Sequence, residues 1–293
     1  MKTIRNRIKA IAVASTLAVV LSSCASVADM AGYNSATLNQ ESAANYTEAM
    51  NAARGARVLD TTSPTARRVQ RIFNRMEPYA TAANKTSVKF DWQMNVLRSD
   101  EMNAWAMPGG KMAVYTGLVE KLKLTDEEIA FIVGHEMTHA LEEHSKAKMG
   151  SQVLTNAAWK FGGQALQAKT GMSSGDFEMA KNLAQTYGFD KPYSRQHEYS
   201  SDEGGLLLMA KAGYDPEKAL DVWNKMNQFN DNNNAVSGFL STHPTNNART
   251  EAMRKVVEKE AKAIYLASEK APVGSAASTK SSGSKKKVNK KRR

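Results

Sequence analysis

The segment His135-Glu136-Met137-Thr138-His139 sets two imidazoles four residues apart, with a carboxylate next to the first. On an α-helix, residues i and i+4 lie on one face. Both rings then reach a single cation, and Glu136 stands where it takes a proton from an attacking water. That chemistry is metal-dependent hydrolysis. The same pentapeptide also arises by chance on a charged amphipathic helix, so its meaning depends on a third ligand.

The histidine-rich extension H-E-x-x-H-x-x-G-x-x-H is excluded, because Glu142 and Ser145 stand where Gly and the last His belong. His144 falls one residue short. On a continuous helix it faces away from His135 and His139, which makes it a surface residue or an outer partner of the site. An acidic ligand fits better: Glu198 and Asp202 are again four apart, in Ser194-Arg195-Gln196-His197-Glu198-Tyr199-Ser200-Ser201-Asp202. If this stretch is helical, Glu198 supplies the third ligand and Asp202 accepts a hydrogen bond from a ligating histidine. Without the upstream motif the pair would read as a solvated acidic face. His243, after the Asn-rich run at 232–234, is either a donor to a developing oxyanion or a group that closes the open metal position; Arg249 is a further oxyanion candidate.

The elements that position these residues are mostly helical. Thr125-Asp126-Glu127-Glu128 is a capping-box pattern with acids in the first turn, and it predicts a buried helix running to near Gly150. Gly134 costs this helix about 1 kcal/mol relative to Ala, which implies a close neighbour. Further helices are expected over 63–83, 215–229 and 246–268. Trp92 to Arg98 and Ala104 to Tyr115 alternate like strands, with Pro108-Gly109-Gly110 as a turn. An edge strand there would pair with an extended polypeptide. The weakly patterned stretch from Gly150 to Tyr193 reads as a gate or a plain insertion, and Trp92, Trp105, Trp159 and Trp223 read as core anchors. The fold class is α+β, mainly helical, with a small sheet beside the histidine-bearing helix.

Four segments resemble the HtpX and CAAX-prenyl-protease type zinc metallopeptidases, especially their soluble periplasmic lipoprotein branch. They are Asn103 to Gly110 with Val114 to Leu118, His135 to His139, Arg195 to Asp202, and His243-Pro244 with Arg249, in that order. The resemblance implies a zincin-like (gluzincin) domain over about residues 60–268 and one Zn2+ per chain. It further implies that His135, His139 and Glu198 bind the metal, that Glu136 is the general base, that Asp202 orients a ligand, and that His243 and Arg249 sit beside the metal.

Lys2, Arg5, Arg7 and Lys9 precede an apolar stretch from Ile11 to Leu21, too short to span a bilayer, and then Leu21-Ser22-Ser23-Cys24. This reads as a leader over 1–23 that resembles a bacterial lipobox, with lipid attached to Cys24, the only cysteine, and 24–59 as the anchor-proximal segment. Ala25 fits delivery to the outer membrane, facing the periplasm. The formal net charge is +11, yet four basic residues lie in the leader and eight in 280–293, with no acid in either. The remainder is nearly neutral, which argues against nucleic-acid binding. The tail, 269–293, reads as disordered, with anionic lipid or lipopolysaccharide as its expected contact. Together these features predict a lipid-anchored zinc endopeptidase cleaving unfolded or misassembled envelope proteins. The alternatives are a chaperone-like lipoprotein with a latent zinc site and a zinc amidase acting on cell-wall peptides.

Overall fold

The computed structural model describes residues 24–151, 153, 193–233 and 238–270. In chain order these form α1 (residues 24–30), α2 (Ser35–Gly55), β1 (Leu59–Asp60), α3 (Pro64–Ala83), β2 (Gln93–Leu97), β3 (Ala104–Met107), β4 (Lys111–Tyr115), α4 (Thr116–Lys121), α5 (Asp126–Leu141) and α6 (residues 144–151). After these come α7 (Arg195–Lys211), a 3-10 turn (Pro216–Ala219), α8 (Val222–Asn233), α9 (Gly238–Thr242) and α10 (Asn247–Val256). A π-helical turn (Val257–Ala261) carries α10 into α11 (Lys262–Lys270). The mainly helical α+β class is therefore observed. The leader, the gate segment beyond residue 153, Trp159 and the basic tail beyond residue 270 lie outside the described residues. Among those described, no helix is long and apolar enough to cross a membrane.

The sheet has the order β1-β2-β4-β3, with β2 and β4 parallel and the outer pairs antiparallel. Gly109 and Gly110 close the β3–β4 hairpin at φ 78° and 83°, a region that side-chain-bearing residues rarely adopt. A Cβ on Gly110 would stand 2.5 Å from the Trp92 ring. The hairpin leaves β3 at the edge, beside α5. Met94, Val96, Ala104, Met112 and Val114 are buried in the same core as Val69, Ile72, Phe73 and Met76 of α3, which recur at helical spacing. α2 is also tied to the sheet: the Tyr46 hydroxyl donates to Met112 O at 2.7 Å and accepts from Asn95 Nδ2 at 2.8 Å, and its ring meets Trp105 edge-on.

α5 is the central helix, buried from Glu128 to Ala140. Its start is the expected capping box, with Glu128 N donating to Thr125 Oγ1 and Thr125 N to Glu128 Oε2. Its end differs from the sequence reading. The helix stops at Leu141, Glu143 takes φ 52°, and the chain restarts as the separate helix α6 rather than running on unbroken to Gly150. The 215–229 helix likewise divides into the 3-10 turn and α8, because Pro216 starts one turn and a second helix begins at Val222.

α5 crosses α7 with the two backbones touching. A Cβ on Gly134 would lie 2.9 Å from Gly205 O, and a Cβ on Gly205 would lie 2.8 Å from His135 N. This is the close neighbour that Gly134 implied. Because neither helix has room for a methyl group, Gly205→Ala is expected to destabilise the protein by about 1–3 kcal/mol. Gly55→Ala, at a helix end with nothing within 4 Å, should be neutral or slightly stabilising. Urea unfolding of the two variants checks the contrast.

Candidate metal centre

The glycine crossing brings the first turns of α7 against the middle of α5. Ser194 caps α7 by accepting from His197 N, so Glu198 and Asp202 lie one turn apart on the face toward His135 and His139. His243 follows α9 and enters from the opposite side. The outcome is a fully buried cluster of His135, His139, Glu198 and His243. His135 Nε2 lies 3.1 Å from His139 Nε2 and 3.2 Å from His243 Nδ1. Glu198 Oε1 lies 3.1 Å from His243 Nδ1 and 3.4 Å from His139 Nε2. A tetrahedron with metal–ligand bonds of about 2.0–2.1 Å has edges of about 3.3 Å, so these atoms mark four corners of a zinc-sized site.

Proton bookkeeping supports the same conclusion. His135 Nδ1 donates to Asp202 Oδ1 at 3.0 Å, which leaves the Nε2 lone pair facing the cluster. His243 turns Nδ1 inward and places Nε2 3.3 Å from Glu136 Oε1. Converging lone pairs repel in a low-dielectric interior unless a cation lies between them. Two carboxylate oxygens here, Glu136 Oε1 and Glu198 Oε2, are buried without a hydrogen-bond donor. Glu198 Oε2 has Arg249 Nη1 2.7 Å away, as an ion pair. Three buried carboxylates, Glu136, Glu198 and Asp202, surround one permanent cation, Arg249. A divalent ion would offset the carboxylate charge that one guanidinium leaves unbalanced. Imidazole and carboxylate donors in this number suit zinc.

Residues 63–257 match the model of peptidase family M48. The chain belongs to this family. It is similar to the mitochondrial metalloendopeptidase OMA1 of Arabidopsis thaliana, 31% identical over 187 residues covering 64% of this chain and 36% of that protein. It is also similar to the Schizosaccharomyces pombe mitochondrial metalloendopeptidase OMA1, 27% identical over 70% of this chain and 56% of that protein. The beta-barrel assembly-enhancing protease of Escherichia coli is 23% identical over 63% of this chain and 40% of that protein. The chain thus spans about a third to just over half the length of these relatives.

Within the M48 domain each sequence-derived candidate has a definite place. Burial pushes the Glu136 carboxyl up to about 7; nearby Glu198 adds to the shift, while the His243 charge and a hydrogen bond from Ala106 N–H oppose it. That bond ties edge strand β3 to Glu136. Burial would raise Glu198 as well, but the His139 and His243 rings packed against it hold it far below the usual carboxylate range. Burial lowers both His135 and His139 and keeps their rings neutral. Arg249, one of the two oxyanion candidates, is turned away from that role. Its Nε and Nη2 donate to both Asp202 oxygens at 2.7 and 2.6 Å, and Nη1 donates to Pro244 O at 2.9 Å. It therefore orients Asp202 and the loop after His243.

Two residues of the site, Trp223 and Tyr193, are not assigned from sequence, and a third, His144, stands open between a surface position and an outer partner. Trp223, read only as a core anchor, lies under Arg249 at 4.2 Å and edge-on to His135. Tyr193 covers His139, ring centroids 4.1 Å apart, and its backbone N donates to Thr242 O beside His243. Burial pushes the Tyr193 phenol up to about 12, which keeps it protonated. His144 is buried against His139, where a continuous helix would have carried it away. No spacing signal announces any of the three, since each arrives through a bend or a long-range contact.

Removing Arg249 strands two buried carboxylates. Arg249→Leu is expected to cost about 3–5 kcal/mol in metal-free protein. Arg249→Lys should be intermediate, because an ammonium cannot make the two-pronged contact to Asp202. Denaturant midpoints of the stripped variants check this, and a neutral Arg249→Leu would mean that the guanidinium only packs on Trp223.

Proposed function

We propose that this protein is a zinc metalloendopeptidase, lipid-anchored in a bacterial envelope and acting on unfolded or misassembled envelope proteins. The observation that carries the reading is the four-cornered buried cluster with Glu136 at its side. His135, His139 and Glu198 hold the ion, which when bound supplies Lewis-acid polarisation of a scissile carbonyl and a water. Glu136 accepts the proton of the attacking water and passes it to the leaving amine. Asp202 holds His135, and Arg249 holds Asp202.

His243 occupies the corner that a substrate carbonyl needs, which favours the latch role over a standing oxyanion donor. The latch is secured by its surroundings: Phe239 stacks on His243 at 4.5 Å, Phe239 N donates to Met102 O, and Tyr193 N donates to Thr242 O. The outer side of β3 then offers an extended polypeptide a backbone partner next to Glu136, reading shape more than side-chain identity. Location rests on the leader and on Cys24, which opens α1 without a disulfide partner. One relative is named for β-barrel assembly and others are named as mitochondrial. The lipobox-like leader favours the outer membrane, with the basic tail meeting anionic lipid or lipopolysaccharide.

Purified protein is expected to bind one zinc and to cleave casein. Glu136→Gln should keep the zinc and lose cleavage by about 10²–10⁴-fold; full activity in that variant would sink the mechanism. Chelation should also abolish cleavage. His243→Ala should raise basal cleavage if the residue is a latch and lower it, with zinc retained, if it is an oxyanion donor. Zinc binding with suppressed aggregation but no cleavage would favour the chaperone-like reading, and turnover of cell-wall peptides alone would favour the amidase. In cells, Cys24→Ala should leave the membrane fraction.

A further inference from the structure

We propose that His144, backed by Glu142, is the positioning residue for His139, fixing the ring in the one tautomer that can bind the ion. The proposal rests on the zinc reading above. His135 has a carboxylate partner for its outer nitrogen, Asp202, but His139 has none. Its Nδ1 instead lies 2.9 Å from His144 Nδ1, and His144 Nε2 lies 3.0 Å from Glu142 Oε2.

This chain has a single proton arrangement compatible with metal binding. Glu142 only accepts, so His144 carries its hydrogen on Nε2 and donates it there. Metal binding at His139 Nε2 then requires that His144 Nδ1 be the acceptor, with the hydrogen between the two rings on His139 Nδ1. His139 Nε2 is left with its lone pair toward His135, Glu198 and His243. If His144 instead donated to His139, the hydrogen of His139 would move to Nε2 and point into the metal site. The relay therefore does for His139 what Asp202 does for His135.

The backbone is bent to allow it. A continuous helix would place His144 roughly 140° around the axis from His139. The left-handed turn at Glu143 ends α5 and brings the His144 ring back. α7 then fixes that ring: His197 stacks on it at 4.1 Å and 17°, and the Ser200 and Ser201 hydroxyls lie 3.4 Å from its nitrogens. The same helical turn thus carries the ligand Glu198 and the clamp on the relay.

The test compares two replacements of His144 in the full chain. His144→Phe keeps a flat ring against His197 but offers no acceptor, whereas His144→Asn keeps an acceptor oxygen near the position of Nδ1. Zinc affinity is measured by chelator competition, the ligand field by the visible spectrum of the cobalt(II)-substituted protein, and folding by the melting point of the stripped protein. His144→Phe should lose about 10–100-fold in zinc affinity and shift the cobalt spectrum, while its stripped melting point matches that of His144→Asn. His144→Asn should stay within a few-fold of wild type. Wild-type affinity in His144→Phe, or equal losses in both variants, would overturn the proposal. If wild type binds no zinc, the proposal falls together with the zinc reading; if wild type binds zinc and His144→Phe is indistinguishable from it, only the proposal falls. Should His144→Phe fail to fold, nitrogen-15 NMR of stripped wild type decides: an Nδ1–H tautomer at His139 supports the relay, and an Nε2–H tautomer refutes it.

Discussion

Lone pairs from three imidazoles and a carboxylate converge in a space from which water is excluded. Such an arrangement is stable only if a cation sits among them, and the surrounding charges are set for one. Glu198 and Asp202 share the single guanidinium of Arg249, with the Glu136 carboxyl close by. The neighbouring polar contacts act in the same direction. Asp202 draws the proton of His135 outward, His144 does the same for His139, and His243 turns its remaining hydrogen toward Glu136. The centre therefore depends on outer partners as much as on its ligands.

Holding that centre requires two backbones closer than ordinary side chains permit. Gly134 and Gly205 let α5 and α7 touch, and Gly204 admits Thr138 at the same crossing. Separation by even one methyl group would carry Glu198 away from both histidines. The sheet completes the enclosure, since Ala106 N–H of edge strand β3 reaches Glu136. The His243 segment is tied to the same region through Met102.

Much of this was legible in the sequence because the governing signals are local. The capping box at Thr125, the period of the α3 apolar residues and the glycine hairpin after Pro108 all report through neighbours a few positions apart. The i, i+4 pairs His135/His139 and Glu198/Asp202 report the same way, since helical geometry alone aligns them. The failures share the opposite cause. Glu143 has no glycine signature, so the sequence reading runs α5 on too far and leaves His144 undecided between the surface and an outer partner of the site. Arg249 carries a charge suited to an oxyanion, yet its direction is set by Asp202 and Pro244, which are brought to it by the packing of α7 and the loop after His243.

The sequence by itself determined the type of chemistry: two imidazoles and two carboxylates at helical spacing, within a family whose model spans residues 63–257. Tertiary structure decided which atoms meet. It placed His243 at the fourth corner, turned Arg249 from substrate toward ligand support, and bent the chain at Glu143 so that His144 backs His139. Spacing along one helix fixes a face through covalent geometry. Contact between segments separated by 45 to 108 residues is fixed only when burial and packing have chosen one arrangement of the helices.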